Sequence, residues 1–342
     1  MNQEGVDKKV KVALDAMGSD LAPEPELAGT LLALEEDKDL EVILVGREEI
    51  LKRFLQNYPK IKIYPAQERI MMDDSPTEVL RKKPDSSLAK AVYLLKTKAV
   101  DAIVSAGNTG ALIAYSLTVL GRIPGVLRPA VAILIPQVSG YSLLTDVGAH
   151  PDPKPIHLYQ FAKMASLVAA YLFHKPNPRV GLLNVGREEN KGSELIQNTY
   201  QLLKESELNF IGNIEGCDVF KGLADVIVCD GFVGNIILKF GEGLLEILTK
   251  GIKDYLSSET KYRMRRWLAK PVLQEFVSRL DYEEQGGGLL LGVNGVVVIS
   301  HGRSGPKAIK NALHTASLFY REKVIENLRN SFAQEKSLTT EE

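Results

Sequence analysis

Cysteine is scarce in this chain and tryptophan scarcer: the sequence holds Cys217, Cys229 and the single Trp267. The two cysteines lie too far apart for a C-x-x-C redox or metal motif, so they read as reduced thiols of a cytosolic protein. A charged-then-apolar leader is missing, since residues 1–9 are polar and run straight into a strand pattern. Apolar runs stop at strand length, so no transmembrane helix is expected. Neither sign of charge dominates: Lys+Arg 42 against Asp+Glu 43 leaves a net charge of -1, which argues against a dedicated nucleic-acid binder. Walker A, G-x-G-x-x-G, G-x-S-x-G and H-E-x-x-H are absent, as is any Cys/His quartet. The usual nucleotide loops, a triad hydrolase and a zinc enzyme are thereby disfavoured, and neither a metal nor a cofactor is expected.

What the chain does have is glycine in particular places. Six clusters close apolar strand runs: Asp15-Ala-Met-Gly-Ser-Asp20, Ser105-Ala-Gly-Asn-Thr-Gly110, Thr145-Asp-Val-Gly148, Asn184-Val-Gly186, Asp230-Gly-Phe-Val-Gly-Asn235 and Ser300-His-Gly-Arg-Ser304. Strands are predicted over 10–14, 41–45, 61–64, 102–105, 130–135, 142–145, 180–184, 210–212, 225–229 and 295–299. Helical periodicity fills the intervals 25–36, 48–57, 88–96, 111–120, 156–173, 193–205, 235–252 and 307–328. Alternating strands and helices give an α/β fold with a mostly parallel sheet covered on both faces. Runs 130–135 and 142–145 are the exception, because a link through Ser139-Gly140 is too short for a crossover and predicts an antiparallel hairpin. Ser75-Pro-Thr-Glu78 reads as a capping box opening a short helix, and Gly286-Gly-Gly288 with Gly292 as a flexible or ligand-approaching loop. The 342 residues are expected to form one catalytic α/β domain of two lobes over 8–332, with flexible tails at 1–7 and 333–342.

In a parallel sheet, ligands gather where the strands end, and glycine turns leading into helices suit an anion there. The 105–110 turn is the leading phosphate candidate, through Ser105, Gly107, Asn108 and Thr109, although a strand–helix turn with an ordinary Asn or Thr cap has the same look. Lys191 stands beside a strand end, where it can offset phosphate charge or remain a solvated loop lysine. Asn235 can donate to an oxyanion or cap a helix, and His301 is the one histidine at a strand end. Asp15, Gly18, Asp146, Asn184, Asp230 and Gly234 complete the predicted rim. A helical arm over 253–284 carries Arg263, Arg265, Arg266, Trp267 and Lys270; it reads as a packing arm, or as a basic surface for anionic membrane or an acidic protein.

The stretches Leu14-Asp-Ala-Met-Gly18, Val104-Ser-Ala-Gly-Asn-Thr-Gly-Ala111, Asp146-Val-Gly-Ala149, Gly181-Leu-Leu-Asn-Val-Gly186 with Lys191-Gly192, Asp230-Gly-Phe-Val-Gly-Asn235 and His301-Gly302 run in one order over roughly residues 9–320. Together they resemble the bacterial phosphate acyltransferase family. Departures fall at turns: Ser19 in place of a glycine, His150 in place of an asparagine, and Gln285-Gly-Gly-Gly in place of Tyr-Gly-Gly-Ala. The resemblance implies a three-layer α/β/α sandwich akin to isopropylmalate dehydrogenase and phosphotransacetylase. It implies acyl transfer from acyl-acyl carrier protein to inorganic phosphate for phospholipid synthesis. It further implies a homodimer, cytoplasmic and peripherally membrane-associated, meeting the membrane or a membrane-bound glycerol-phosphate acyltransferase. On this reading the 105–109 turn cradles phosphate, Lys191 offsets its charge, Asn235 holds the oxyanion and His301 protonates the departing thiolate. A phosphotransacetylase-like enzyme using acyl-CoA is the alternative.

Overall fold

A computed structural model describes residues 9–56, 58, 61–138, 140–257 and 286–339; for 252–257 and 334–339 only the backbone is described. Apolar residues two apart build the sheet. In β1 (Val10–Asp15), Val12 and Leu14 enter the core on one face while Ala13 enters the core on the other, as side chains alternating across a buried strand must. The same pattern forms β2 (Leu40–Gly46), β3 (Lys62–Pro65), β4 (Ala102–Ser105), β5 (Ala130–Pro136), β6 (Tyr141–Thr145), β7 (Val180–Asn184), β8 (Phe210–Glu215), β9 (Val226–Val228), β10 (Gly288–Leu291) and β11 (Val296–Ile299). They make one 11-stranded sheet in the order β3-β2-β1-β4-β11-β10-β5-β6-β9-β7-β8.

The helices, in chain order, are α1 (Glu24–Glu36), α2 (Glu48–Phe54), α3 (Pro76–Lys82), α4 (Ser87–Lys96), α5 (Thr109–Tyr115), α6 (Pro155–Leu172), α7 (Glu194–Lys204), α8 (Gly231–Ser257), α9 (Pro306–Arg321) and α10 (Val324–Thr339). One face of the sheet is covered by α1, α6, α7, α9 and α10 through residues such as Leu27, Phe161, Leu203, Leu313 and Leu328. The other is covered by α3, α4, α5 and the start of α8, through Val79, Val92, Leu112 and Ile237. The result is the three-layer sandwich.

Several expectations change at this level. The tail from 333 continues α10 to Thr339, and the helix expected over 307–328 is broken between α9 and α10, where Lys323 adopts φ 52. The glycine-rich stretch at 286–292 contains a buried central strand, β10. Ser75 does open α3, but its side chain caps nothing there and Glu78 pairs instead with Lys82 at 2.6 Å. The helical arm at 253–284 lies almost wholly outside the described residues, and with it Arg263, Arg265, Arg266, Trp267 and Lys270; α8 itself runs on to Ser257.

Most strand pairings are parallel, yet β5 pairs antiparallel with both β10 and β6, and β10 with β11. Consequently β1 to β4 and β11 run one way while β6 to β9 run the other. Register keeps the two halves in step. Ser105 lies opposite Ile299 and Ile299 opposite Gly288, while Ile133 lies opposite Leu144 and Leu144 opposite Ile227. Strands of both halves thus finish at nearly one level, and their carboxyl-terminal turns open onto the middle of the sheet beside β5. There is no single rim of the kind expected from a parallel sheet.

Asp146 fixes the junction of the halves. Its carboxylate accepts from the backbone N–H groups of Val131 (2.9 Å), Ala149 (3.1 Å) and His150 (2.7 Å), and its own N–H donates to the Cys229 carbonyl (3.0 Å). The first turn of α8 presses against the same residue, because a Cβ on Gly234 would fall on the Asp146 carbonyl oxygen. A Gly234→Ala substitution should therefore cost about 1–3 kcal/mol through overpacking. Gly243→Ala, in open space on the same helix, should stabilise by about 0.5–1 kcal/mol. Urea denaturation of the two variants checks the pair; equal effects would remove the clamp.

Candidate active site

Three neighbouring turns are bonded into one platform at the ends of β1, β4 and β11. Gly18 packs against Gly107 so closely that a Cβ on Gly18 would lie 2.8 Å from the Gly107 nitrogen. The Ser105 hydroxyl donates to Asp15 Oδ2 (2.8 Å) and accepts from the Gly107 N–H (3.1 Å). Ser300 N–H donates to the Ser105 carbonyl and Asp20 N–H to the Gly302 carbonyl, both at 2.8 Å. The third turn is tied internally: Ser300 and Ser304 hydroxyls meet at 2.7 Å, Ser304 N–H donates to the His301 carbonyl (2.9 Å), and Arg303 N–H donates to His301 Nδ1 (3.1 Å). That last bond places the ring hydrogen of a neutral His301 on Nε2.

Two side chains expected to touch phosphate are engaged elsewhere. Ser105 uses its hydroxyl inward, as described. Asn108 caps α5, its Oδ1 accepting from Ala111 N–H (2.9 Å), while its amide donates to the carbonyls of Met71 (3.2 Å), Met72 (3.0 Å) and Asp74 (3.0 Å). It pins the 71–74 loop. Gly107 and Thr109 are the members of this turn that line the cavity below, and the Thr109 and Gly110 N–H groups begin a helix, where no intrahelical acceptor exists.

Beneath the platform lies a buried acidic pocket. Asp15 is 1 % exposed, and burial pushes its carboxyl up against the opposing pull of hydrogen bonds from Ser87 and Ser105. Glu26, also buried, accepts from Ser19 N–H (3.1 Å), and burial raises it to about 7. Asp146, buried in the clamp, is raised to about 6 by burial in spite of its N–H donors.

A cavity of about 870 Å³ runs from this platform across the face of β5 to the start of α8. Its floor is Val131, Ile133 and Ile135 with Gly288, and one wall is the apolar side of α8 at Ile237, Leu238, Leu244 and Leu245. Gly107, Thr109, Ser300, His301 and Arg303 form a polar stretch, and Val147, Gly148 and Asn235 line it from the other half of the sheet. Five of the six glycine clusters contribute to it. Asp15, Gly18, Asp146, Asp230 and Gly234 sit behind it and shape it, Asp230 by accepting the Val233 N–H (2.9 Å) at the start of α8.

Asn184 and Lys191 do not reach this cavity, which corrects their expected place. They follow β7, two positions beyond β6 in the sheet, and neither is among the residues that line the cavity. Asn184 donates to the Lys191 carbonyl (3.1 Å), and Lys191 is exposed on that loop. Two other cations line the cavity instead, Arg303 and Lys239. Arg303 lies inside the sixth glycine cluster, two residues after His301, and Lys239 has no local sequence signal.

The fold is the one found in phosphotransacetylases. A phosphotransacetylase from Streptococcus pyogenes superimposes with a TM-score of 0.61 at 18% identity, covering 93% of this chain and 95% of that one. The family model for fatty acid synthesis protein matches residues 10–327, and the chain belongs to that family. Similar relatives are the phosphate acyltransferase of Heliobacterium modesticaldum, 49% identical over 312 residues (90% of this chain, 93% of that one), and that of Dictyoglomus turgidum, 48% identical over 335 residues (93% and 98%). Among the described residues, no helix is long and apolar enough to cross a membrane.

Glu26 gives the pocket a pH signature. With its folded value raised from 4.5 to about 7, the folded state binds the proton more tightly than the unfolded chain. Its contribution is favourable below about 4.5 and is lost as pH rises through 7, worth about 3 kcal/mol across that span. Glu26→Gln should flatten the stability–pH curve between those limits and raise stability at pH 8. Chemical denaturation at several pH values tests this, and an unchanged slope would refute it.

Proposed function

We propose that this protein transfers a fatty acyl group from acyl-acyl carrier protein to inorganic phosphate, forming acyl phosphate for phospholipid synthesis. The carrying observation is one cavity in which a polar platform of backbone N–H groups, hydroxyls and a guanidinium adjoins a long apolar floor. That is the division of surface needed to hold a phosphate beside a fatty acyl thioester. Membership of the fatty acid synthesis protein family, and relatives named phosphate acyltransferase, support the same reading.

Inorganic phosphate near neutral pH carries a substantial dianion fraction, which is nucleophilic without a base. Gly107 and Thr109 orient it, and its oxygen forms a bond to the thioester carbonyl carbon. The carbonyl oxygen becomes an oxyanion, to which the Asn235 amide donates. The intermediate collapses by breaking the carbon–sulfur bond, and the electron pair leaves with the thiolate of the carrier's pantetheine. His301, neutral with its hydrogen on Nε2, donates a hydrogen bond to the departing thiolate in this scheme and transfers no proton to it. Lys191 is not among the residues that line the cavity and is given no step here. The acyl chain lies along Ile133, Ile135, Leu244 and Leu245.

A homodimer is part of the reading, and the exposed apolar side chains Phe232, Ile236, Phe240 and Ile247 on the outer side of α8 favour it. Docking of the acidic carrier protein and peripheral contact with the membrane, or with a membrane-bound glycerol-phosphate acyltransferase, complete the proposal.

Incubation with palmitoyl-acyl carrier protein and labelled phosphate should yield a hydroxylamine-trappable acyl phosphate, and palmitoyl-CoA should be the poorer donor. Failure to form the product, or preference for the CoA donor, rejects the assignment. Asn235→Ala should lower kcat by about 100-fold or more with little change in KM; wild-type turnover would strip Asn235 of its role. Phe240→Glu should sediment as a monomer if the outer side of α8 joins two copies, and an unchanged sedimentation coefficient counts against that face.

A further inference from the structure

We propose that Arg303 is the cation that grips the attacking phosphate, an assignment that rests on the acyl-transfer reading above. A dianion entering this cavity meets two carboxylates on its walls, Asp20 and Glu242. Backbone N–H groups at one turn are neutral overall, so a positive side chain must offset that repulsion. Lys191 is not among the residues lining this cavity. Arg303 and Lys239 are the cations among the residues lining the cavity.

Position separates these two. Arg303 belongs to the turn after β11, which pairs with β4 so that Ile299 lies opposite Ser105. Its turn and the Gly107–Thr109 turn are therefore neighbours, about 5 Å apart at strand spacing, and the Ser300 N–H bond to Ser105 joins them directly. Lys239 projects from α8, the opposite wall. The backbone that carries Arg303 is held by its own N–H bond to His301 Nδ1, by the Ser304 N–H bond to the His301 carbonyl and by the Ser300–Ser304 hydroxyl contact. The turn is thus set before any ligand arrives, while the side chain is exposed. No carboxylate among the described residues forms an ion pair with its guanidinium. An arginine on a rigid turn, lining a cavity and spent on no ion pair among the described residues, is placed for an external anion. Its planar fork matches two phosphate oxygens at once, which a lysine cannot do.

The test is titration of inorganic phosphate into the wild-type protein, Arg303→Gln and Arg303→Lys by calorimetry, alongside steady-state kinetics with acyl-acyl carrier protein. Because the Arg303 side chain makes no ion pair among the described residues, both variants should melt with the wild type. Arg303→Gln should bind phosphate at least tenfold more weakly and raise KM for phosphate by a similar factor, leaving KM for the carrier within twofold. Arg303→Lys should recover part of the loss. Wild-type phosphate affinity in Arg303→Gln would overturn the proposal, as would a rise in carrier KM with phosphate KM unchanged, which would make Arg303 a docking residue. If the wild type binds phosphate, loses it in Arg303→Gln and yet forms no acyl phosphate, the acyl-transfer reading falls while Arg303 keeps its ligand. Absence of phosphate binding in the wild type would end both.

Discussion

A single buried carboxylate holds the two halves of this molecule in register. Asp146 takes three backbone N–H bonds, from the first residues of β5 and from the turn after β6, while its main chain engages β9 and the start of α8. Burying a carboxylate is expensive unless donors surround it, and here the donors are the chain ends that must be brought together. The position of β5, the approach of α8 and hence the width of the cavity all descend from that cluster. Removing the carboxyl would leave the buried Val131 N–H and the part-buried Ala149 and His150 N–H groups without this acceptor.

The glycine clusters were legible in the sequence because a turn that ends a buried strand and starts a helix has few permitted residues. The β5–β6 hairpin was legible from the length of its link. Reversal of direction between the halves was not, since it depends on β10, a four-residue strand flanked by glycines that looks like a loop. Asn108 and Ser105 have the right chemistry for phosphate, but their partners, the 71–74 carbonyls and Asp15, are supplied by distant segments. Lys191 has the right charge and follows a strand end, but nothing local reveals that its strand belongs near the far edge of the other half.

A pattern runs through these differences. Several side chains with good hydrogen-bonding groups, Ser105, Asn108 and Asp146 among them, are consumed in fixing backbone, and the polar surface offered to a ligand beside the platform is backbone N–H with Thr109, His301, Arg303 and Asn235. Such a site binds by preorganisation, because the groups that could have moved are already bonded. The acidic pocket formed by Asp15 and Glu26 is the cost of that rigidity: two carboxyls are kept from water under the platform, one accepting a hydroxyl and the other an N–H.

Strand order has a consequence for how the protein is made. The two strands at the centre of the sheet, β10 and β11, are the last two to leave the ribosome, yet they lie between β4 and β5, which emerged long before. Until they arrive, each half carries an open inner edge able to pair with a foreign strand. Closure of the sheet and completion of the platform by the 300–304 turn are therefore the same late event. A nascent chain stopped before residue 286 would own most of the core and no usable site, so synthesis delivers catalytic competence only near its end.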